Sequence, residues 1–189
     1  WVKSFCNGWR VNQPDLIFFW VLGHILPEFF LTLPPLGMWN FYTSLLPKYR
    51  GASPIQTAIL NGEAFSGVTL MSVVKKMDAG AWLAQKKIAL DASETTPSLT
   101  EKMAKASAEL LEENLPALLA RNYTLTEQNP IEVTFCSKYT KADGELDFSK
   151  PAEVLERQIR AFQPWPGSYF FKNNERYIVH RAHAIAAKN

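Results

Sequence analysis

Apolar and polar positions alternate along the chain in a way that predicts short strands interleaved with helices. Residues 16–21 (Leu-Ile-Phe-Phe-Trp-Val) show no polar alternation, which predicts a strand buried on both faces. Gly23 ends it, and Pro27 opens a short helix over 28–33 that Pro34 and Pro35 stop. A second apolar strand spans 36–41, and a helix with Pro54 in its first turn spans 54–60, with Asn61-Gly62 as its stop. The β-branched run 67–74 and the return over 83–90 predict a hairpin with Asp78 near its tip. Leu99, Met103, Ala106 and Leu110 recur at helical spacing, predicting a helix over 98–121 with Ser98 and Glu101 as a capping box. Pro116 is expected to kink or end it. Residues 122–132 are polar and read as a linker. Beyond them come a strand over 134–139, a helix over 152–162 and paired strands at 168–171 and 176–182. Residues 1–13 suggest a helix. The pattern describes an α/β unit over 1–121, a linker over 122–132 and a smaller unit over 133–189.

Composition narrows the class. With 47% apolar and 20% charged residues, the 189-residue chain has the make-up of a globular protein. A net charge of +2 does not imply nucleic acid, so any RNA contact needs a local patch. The apolar stretch 16–33 raises a membrane span, but Gly23-His24 and Pro27-Glu28 interrupt it. Cys6 and Cys136 are too far apart in sequence for a disulfide framework or a metal knuckle. His180 and His183, three apart in an expected strand, would face opposite sides, which argues against a metal pair. There is no phosphate loop, zinc spacing or serine-hydrolase elbow.

The stretch with most chemical content runs from Asn40 through Tyr42, Ser44-Leu45-Leu46-Pro47, Lys48 and Arg50-Gly51-Ala52 to Pro54-Ile55. A polar amide on a strand, a tight loop and a helix start together form the place where open α/β sheets put ligands. This stretch resembles the signature of the 10-formyltetrahydrofolate-dependent formyltransferases, in particular the family that acts on methionyl-tRNA. The family pattern is Asn-x-His-x-Ser-Leu-Leu-Pro-x-x-Arg-Gly-Ala-x-Pro-Ile, and Tyr42 stands where it has the catalytic histidine. Asp78-Ala79-Gly80 is similar to the family's Asp-x-Gly, and 159–166 (Ile-Arg-Ala-Phe-Gln-Pro-Trp-Pro) to a segment of its C-terminal domain.

The resemblance implies the C-terminal part of a Rossmann-like catalytic domain followed by a partial, OB-like β-barrel. On that reading the first strands of the domain are missing, and Trp1 marks an incomplete start. It implies Asn40, Tyr42 and Asp78 as catalytic positions, with Ser44, Leu45, Leu46 and Pro47 contacting the folate. Lys48 and Arg50 would meet a phosphate or the tRNA acceptor end; the alternative is a solvated basic pair. The formyl donor would be 10-formyltetrahydrofolate and the partner initiator methionyl-tRNA, with no metal and no membrane. The protein would be a cytoplasmic monomer, or a mitochondrial or plastid one. Val21-Leu22 replaces the family's Ala-Tyr, which bears on folate affinity. Tyrosine, with a reference pKa of about 10, stays neutral where histidine can carry charge, so impaired catalysis is expected. The rival readings are a non-catalytic relative, or a relative acting on a sugar amine, a purine precursor or the folate itself. On the residues alone, Asn40 could merely end a strand and Asp78 merely turn a hairpin. Arg157 and Arg160 share a helix face and would touch RNA or only water, and Trp165, between two prolines, would stack an RNA base or, more in keeping with its flanking prolines, form a core corner.

Overall fold

A computed structural model describes residues 12–20 and 26–185. The expected helix at the N-terminus, the strand end at Val21, the Gly23 stop, His24 and Cys6 lie outside the described residues. A four-stranded sheet forms the centre, in the order β1 (Ile17–Trp20), β2 (Met38–Tyr42), β4 (Phe65–Ser72), β5 (Trp82–Ala89). β1 runs parallel to β2, and the other two pairings are antiparallel. A short helix, α1 (Glu28–Leu31), lies between β1 and β2.

The pleat of β2 divides the molecule. Trp39 and Phe41 point to one side and join Val68, Leu70, Leu99 and Met103 in the main core. Helices α2 (Pro54–Leu60) and α3 (Thr96–Ala120) cover that side. Met38 and Tyr42 point to the other side, into two smaller clusters.

α2 begins with Pro54 at its first position and gives way at Asn61-Gly62, with Gly62 at φ +64. α3 starts earlier than Ser98. Its N-cap is Thr95, and Ser98 rather than Glu101 completes the capping box. Proline is tolerated in a first turn, so Pro97 sits inside the helix instead of preceding it. Pro116 does not end α3 either: the buried side chain of Leu118 holds the last turn against the core. β1 differs more. The sequence predicts burial on both faces, yet its residues are half-buried and Trp20 is exposed. Among the described residues β1 pairs only with β2. The Trp20 indole still donates to Ser107 Oγ at 3.1 Å, tying the strand to α3.

After α3 the chain returns to the free edge of β5. Thr126 exchanges two backbone hydrogen bonds with Trp82, both 2.9 Å. β6 (Phe135–Cys136) then pairs in parallel with the two-residue strand β3 (Arg50–Gly51). The expected strand over 134–139 is thus only two residues long. α4 (Ala152–Ala161) packs on α2, and Ala161 and Phe162 enter the main core. β7 (Ser168–Lys172) and β8 (Glu175–Val179) form a hairpin whose turn places Asn173 and Asn174 both at positive φ. Leu146 N–H donates to Tyr169 O at 2.7 Å, adding a further rung to β7.

Leu99 is fully buried between the sheet and the helices. Leu99→Ala is expected to cost about 2–5 kcal/mol, the range for a cavity left by a core leucine. Urea unfolding followed by circular dichroism measures it; a loss below about 1 kcal/mol would mean that this core readily collapses into the space.

Candidate functional site

The face of β2 opposite the core carries Asn40 and Tyr42 two residues apart, hence side by side. Asn40 is 3% exposed, and its register partner is Met71 of β4. Tyr42 packs with Leu46 and Met71. Its hydroxyl lies 2.7 Å from the Tyr49 carbonyl oxygen and 2.8 Å from that of Gly51. A phenol has one proton, so these two backbone acceptors share it.

Asp78 reaches the same place from the β4–β5 connection. Its Oδ2 accepts the Gly51 N–H at 2.9 Å. Cys136 closes the cluster: its Sγ lies 3.3 Å from the Tyr49 carbonyl and accepts from Ser53 N–H at 3.4 Å. Gly51 has to be glycine here. It sits at φ +121, and a Cβ would lie 2.3 Å from the Cys136 carbonyl oxygen. Tyr49 and Asp78 hold left-handed φ values of +59 and +51 without being glycine, a strain of roughly 1–3 kcal/mol each that neighbours must over-determine.

Burial pushes the Asp78 carboxyl above the usual carboxylate range, and the Gly51 N–H, the Tyr42 hydroxyl and the Arg50 guanidinium partly offset this. Burial also pushes the Tyr42 phenol far up, with the Asp78 charge adding to it. The Cys136 thiol is raised for the same first reason, against the pull of the Ser53 N–H and the Tyr42 hydroxyl. Tyr42 therefore stays protonated, Cys136 is a poor thiolate, and Asp78 is the group here suited to exchanging a proton.

The Ser-Leu-Leu-Pro loop arches over Tyr42. The Ser44 hydroxyl donates to the Lys48 carbonyl at 2.6 Å, so it braces the loop rather than projecting from it. Thr69 Oγ1 donates to Ser44 O at 2.6 Å and accepts Leu46 N–H at 3.1 Å. Leu45, Leu46 and Pro47 line an open cleft of about 510 Å³, together with Lys48, Phe65 and Lys87.

Two expectations about cations change. Arg50, expected with Lys48 as a surface cation for a phosphate or tRNA, is only 6% exposed. Its Nε and Nη2 donate to Gln128 Oε1 at 3.0 and 2.7 Å. Lys48 remains at the surface, 3.8 Å from Glu63. Arg157 and Arg160, read as facing RNA or water, both brace the fold. Arg157 Nε donates to Leu60 O at 3.1 Å, and Arg160 Nη1 donates to Glu94 O at 2.7 Å while its fork grips Glu156. Trp165 is not a core corner but half-exposed, and His180 and His183 follow β8 instead of lying in it.

Sequence reading missed Gln128 and Cys136 as members of this cluster. Gln128 lies in a stretch that reads as linker, and its only signal is a glutamine in a polar run. Among the described residues, no group of three or more His, Cys, Asp or Glu could hold a metal, and no helix is long and apolar enough to cross a membrane.

Comparison with known proteins places this arrangement. Residues 5–115 match the family model described as "Formyl transferase", and residues 138–189 match "Formyl transferase, C-terminal domain". The chain belongs to the formyl transferase family. It is 38% identical over 180 residues to the methionyl-tRNA formyltransferase of Treponema pallidum (strain Nichols), covering 95% of this chain and 56% of that protein. To the methionyl-tRNA formyltransferase of Latilactobacillus sakei it is 41% identical over 170 residues, covering 90% of this chain and 54% of the relative. The chain thus spans about half the length of the curated relatives it matches. Among solved formyltransferase structures, a 4-N formyltransferase from Francisella tularensis superposes with a TM-score of 0.81 at 22% identity, covering 97% of this chain and 76% of that one. An N-formyltransferase from Helicobacter canadensis, in complex with folinic acid and dTDP-3-aminofucose, superposes with a TM-score of 0.65 at 26% identity, covering 72% and 51%. These likenesses agree with the α/β formyltransferase fold expected from the signature.

The raised Asp78 carboxyl has a consequence for stability. The folded protein binds that proton more tightly than the unfolded chain does. The stabilisation is therefore complete below the ordinary carboxylate pKa and is lost as pH rises through the raised one. Asp78→Asn, neutral throughout, should gain stability relative to the parent between pH 4 and pH 8. Urea midpoints at the two ends of that window measure it, and a difference that stays constant would show that Asp78 is not desolvated.

Proposed function

We propose that this chain carries the catalytic cluster for passing a formyl group from 10-formyltetrahydrofolate to the amino group of methionyl-tRNA. The observation that carries the reading is that Tyr42 and Asp78 meet on Gly51 beside the Ser-Leu-Leu-Pro loop, with Asn40 on the same face of β2 as Tyr42. Identity near 40% to methionyl-tRNA formyltransferases over nearly the whole chain supports it.

The chemistry follows from the groups present. The attacking amine must lose a proton, negative charge develops on the formyl oxygen, and the bond from the formyl carbon to N10 breaks, releasing tetrahydrofolate with a proton on N10. Asn40 would donate its amide N–H to that oxygen. Asp78 would take the amine proton, and its raised affinity for protons suits that task nearer neutral pH. Leu45, Leu46 and Pro47 would hold the folate through apolar contact, and Lys48 would face the tRNA phosphates.

Tyr42 favours a second reading, a catalytically impaired relative. Its hydroxyl lies against two backbone carbonyls and beside the Asp78 carboxylate, so its one proton is committed within the cluster instead of to a reacting oxygen. In place of the family's histidine it supplies neither a cation nor a proton relay.

A single-turnover assay with 10-formyltetrahydrofolate and methionyl-tRNA separates the readings. Asp78→Asn and Asn40→Ala should each slow transfer by roughly 10²- to 10³-fold, and Tyr42→His should raise it by a similar factor. Equal rates for the parent and Tyr42→His would end the idea that Tyr42 impairs catalysis. No transfer by either protein would leave the non-catalytic reading. Filter binding with initiator tRNA at low salt tests the acceptor, since lack of retention would favour a small-molecule amine.

A further inference from the structure

We propose that Gln128 is a positioning residue for Asp78, so that the segment joining the two matched regions is part of the site's framework. Gln128 is 8% exposed, and its carboxamide makes four hydrogen bonds. Nε2 donates to the Asp78 carbonyl at 2.9 Å and to the Gly80 carbonyl at 2.8 Å. Oε1 accepts from both Nε and Nη2 of the Arg50 guanidinium. One neutral side chain thus grips the backbone on either side of Ala79 and the cation of the neighbouring loop.

The turn needs such a grip. Asp78 sits at φ +51, a left-handed conformation that aspartate adopts more readily than most residues but still at a cost that its neighbours must cover. Gly80 is so close to Ser72 that a Cβ there would lie 1.9 Å from the Ser72 carbonyl oxygen. Holding 78 and 80 together aims the Asp78 carboxylate at the Gly51 N–H. The groups facing that carboxylate are Tyr42 from β2, Arg50 and Gly51 from β3, and Cys136 from β6. Arg50 is the cation among them, and Gln128 fixes where it lies.

The same segment reaches the other half of the site. Tyr49 N–H donates to Thr134 Oγ1 at 2.9 Å, and Arg50 N–H to Thr134 O at 2.9 Å. The two Thr126–Trp82 bonds anchor its start at the hairpin. Residues 126–136 therefore strap the Asp78 turn to the 49–51 loop. The catalytic meaning of this strap rests on the proposed role of Asp78, whereas the strap itself does not.

Gln128→Met removes all four hydrogen bonds at similar volume, and Gln128→Glu keeps acceptors for Arg50 but loses both donations to the turn. Two readouts need no substrate: hydrogen exchange at the Gly51 amide, and the Asp78 carboxyl titration followed by carbon NMR. In Gln128→Met, Gly51 exchange should quicken roughly tenfold and the Asp78 midpoint should rise, while exchange in α3 is unchanged. Gln128→Glu should show the Gly51 effect as well. Unchanged Gly51 exchange and an unchanged Asp78 midpoint in folded Gln128→Met would overturn the proposal. If that variant does not fold, Gln128→Asn, whose reach is one methylene shorter, decides by the same criteria. Full formyl transfer by Asp78→Asn would sink the catalytic reading of Asp78 without touching these readouts.

Discussion

A β-strand sends alternate side chains to opposite faces, and β2 uses that alternation for two purposes within five residues. Trp39 and Phe41 enter the main core, while Asn40 and Tyr42 face the site. A slip of one residue would put an amide and a phenol into the core and two large aromatics on the site face. The antiparallel register with β4, Asn40 opposite Met71 and Tyr42 opposite Thr69, prevents it. The strand's place in the core therefore sets where the polar groups stand. The Ser-Leu-Leu-Pro loop inherits its position in turn, because Thr69 holds both Ser44 and Leu46.

Around that strand the site is built from desolvated groups that satisfy one another. Asp78 is half-buried, with an N–H donor and a nearby guanidinium. Arg50 is buried but spends its donors on a neutral amide rather than on Asp78 itself. A direct Arg50–Asp78 fork would hold the carboxylate strongly ionised and weaken it as a proton acceptor. Gln128 anchors the cation near the carboxylate, where its charge partly offsets the effect of burial. Among the described residues, no buried side-chain nitrogen or oxygen lacks a hydrogen-bond partner. That is consistent with a cluster held rigid by mutual satisfaction.

Much of the secondary structure was legible from local signals. Pro54 and Asn61-Gly62 bracket α2 because proline suits a first helical turn and glycine takes a positive φ. The β4–β5 hairpin followed from β-branched content, and the turn of β7–β8 from its two asparagines. The errors have specific causes. The start of α3 was misplaced because Ser98 and Glu101 match a capping-box spacing, whereas Thr95 with Ser98 forms the box that the helix uses. The absence of polar alternation suggested a β1 buried on both faces, but burial depends on which neighbours pair with it. Arg50, Arg157 and Arg160 resembled surface cations because sequence cannot say which backbone carbonyls or amides lie within reach.

By itself the sequence determined the local conformations and the order of the groups: an amide, a phenol and a bracing loop on one strand and its exit, and a carboxylate at a hairpin tip. Those depend on nearest-neighbour sterics and on side-chain periodicity, which act over a few residues. Only the tertiary structure decided that Tyr42 serves backbone carbonyls, that Arg50 is buried, and that Gln128 and Cys136 join the cluster. Those contacts span 7 to 87 positions along the chain, and the shortest of them needs the loop already folded back on its strand. Hydrogen bonds of that kind form where packing brings donor and acceptor within about 3 Å, and no local pattern encodes it.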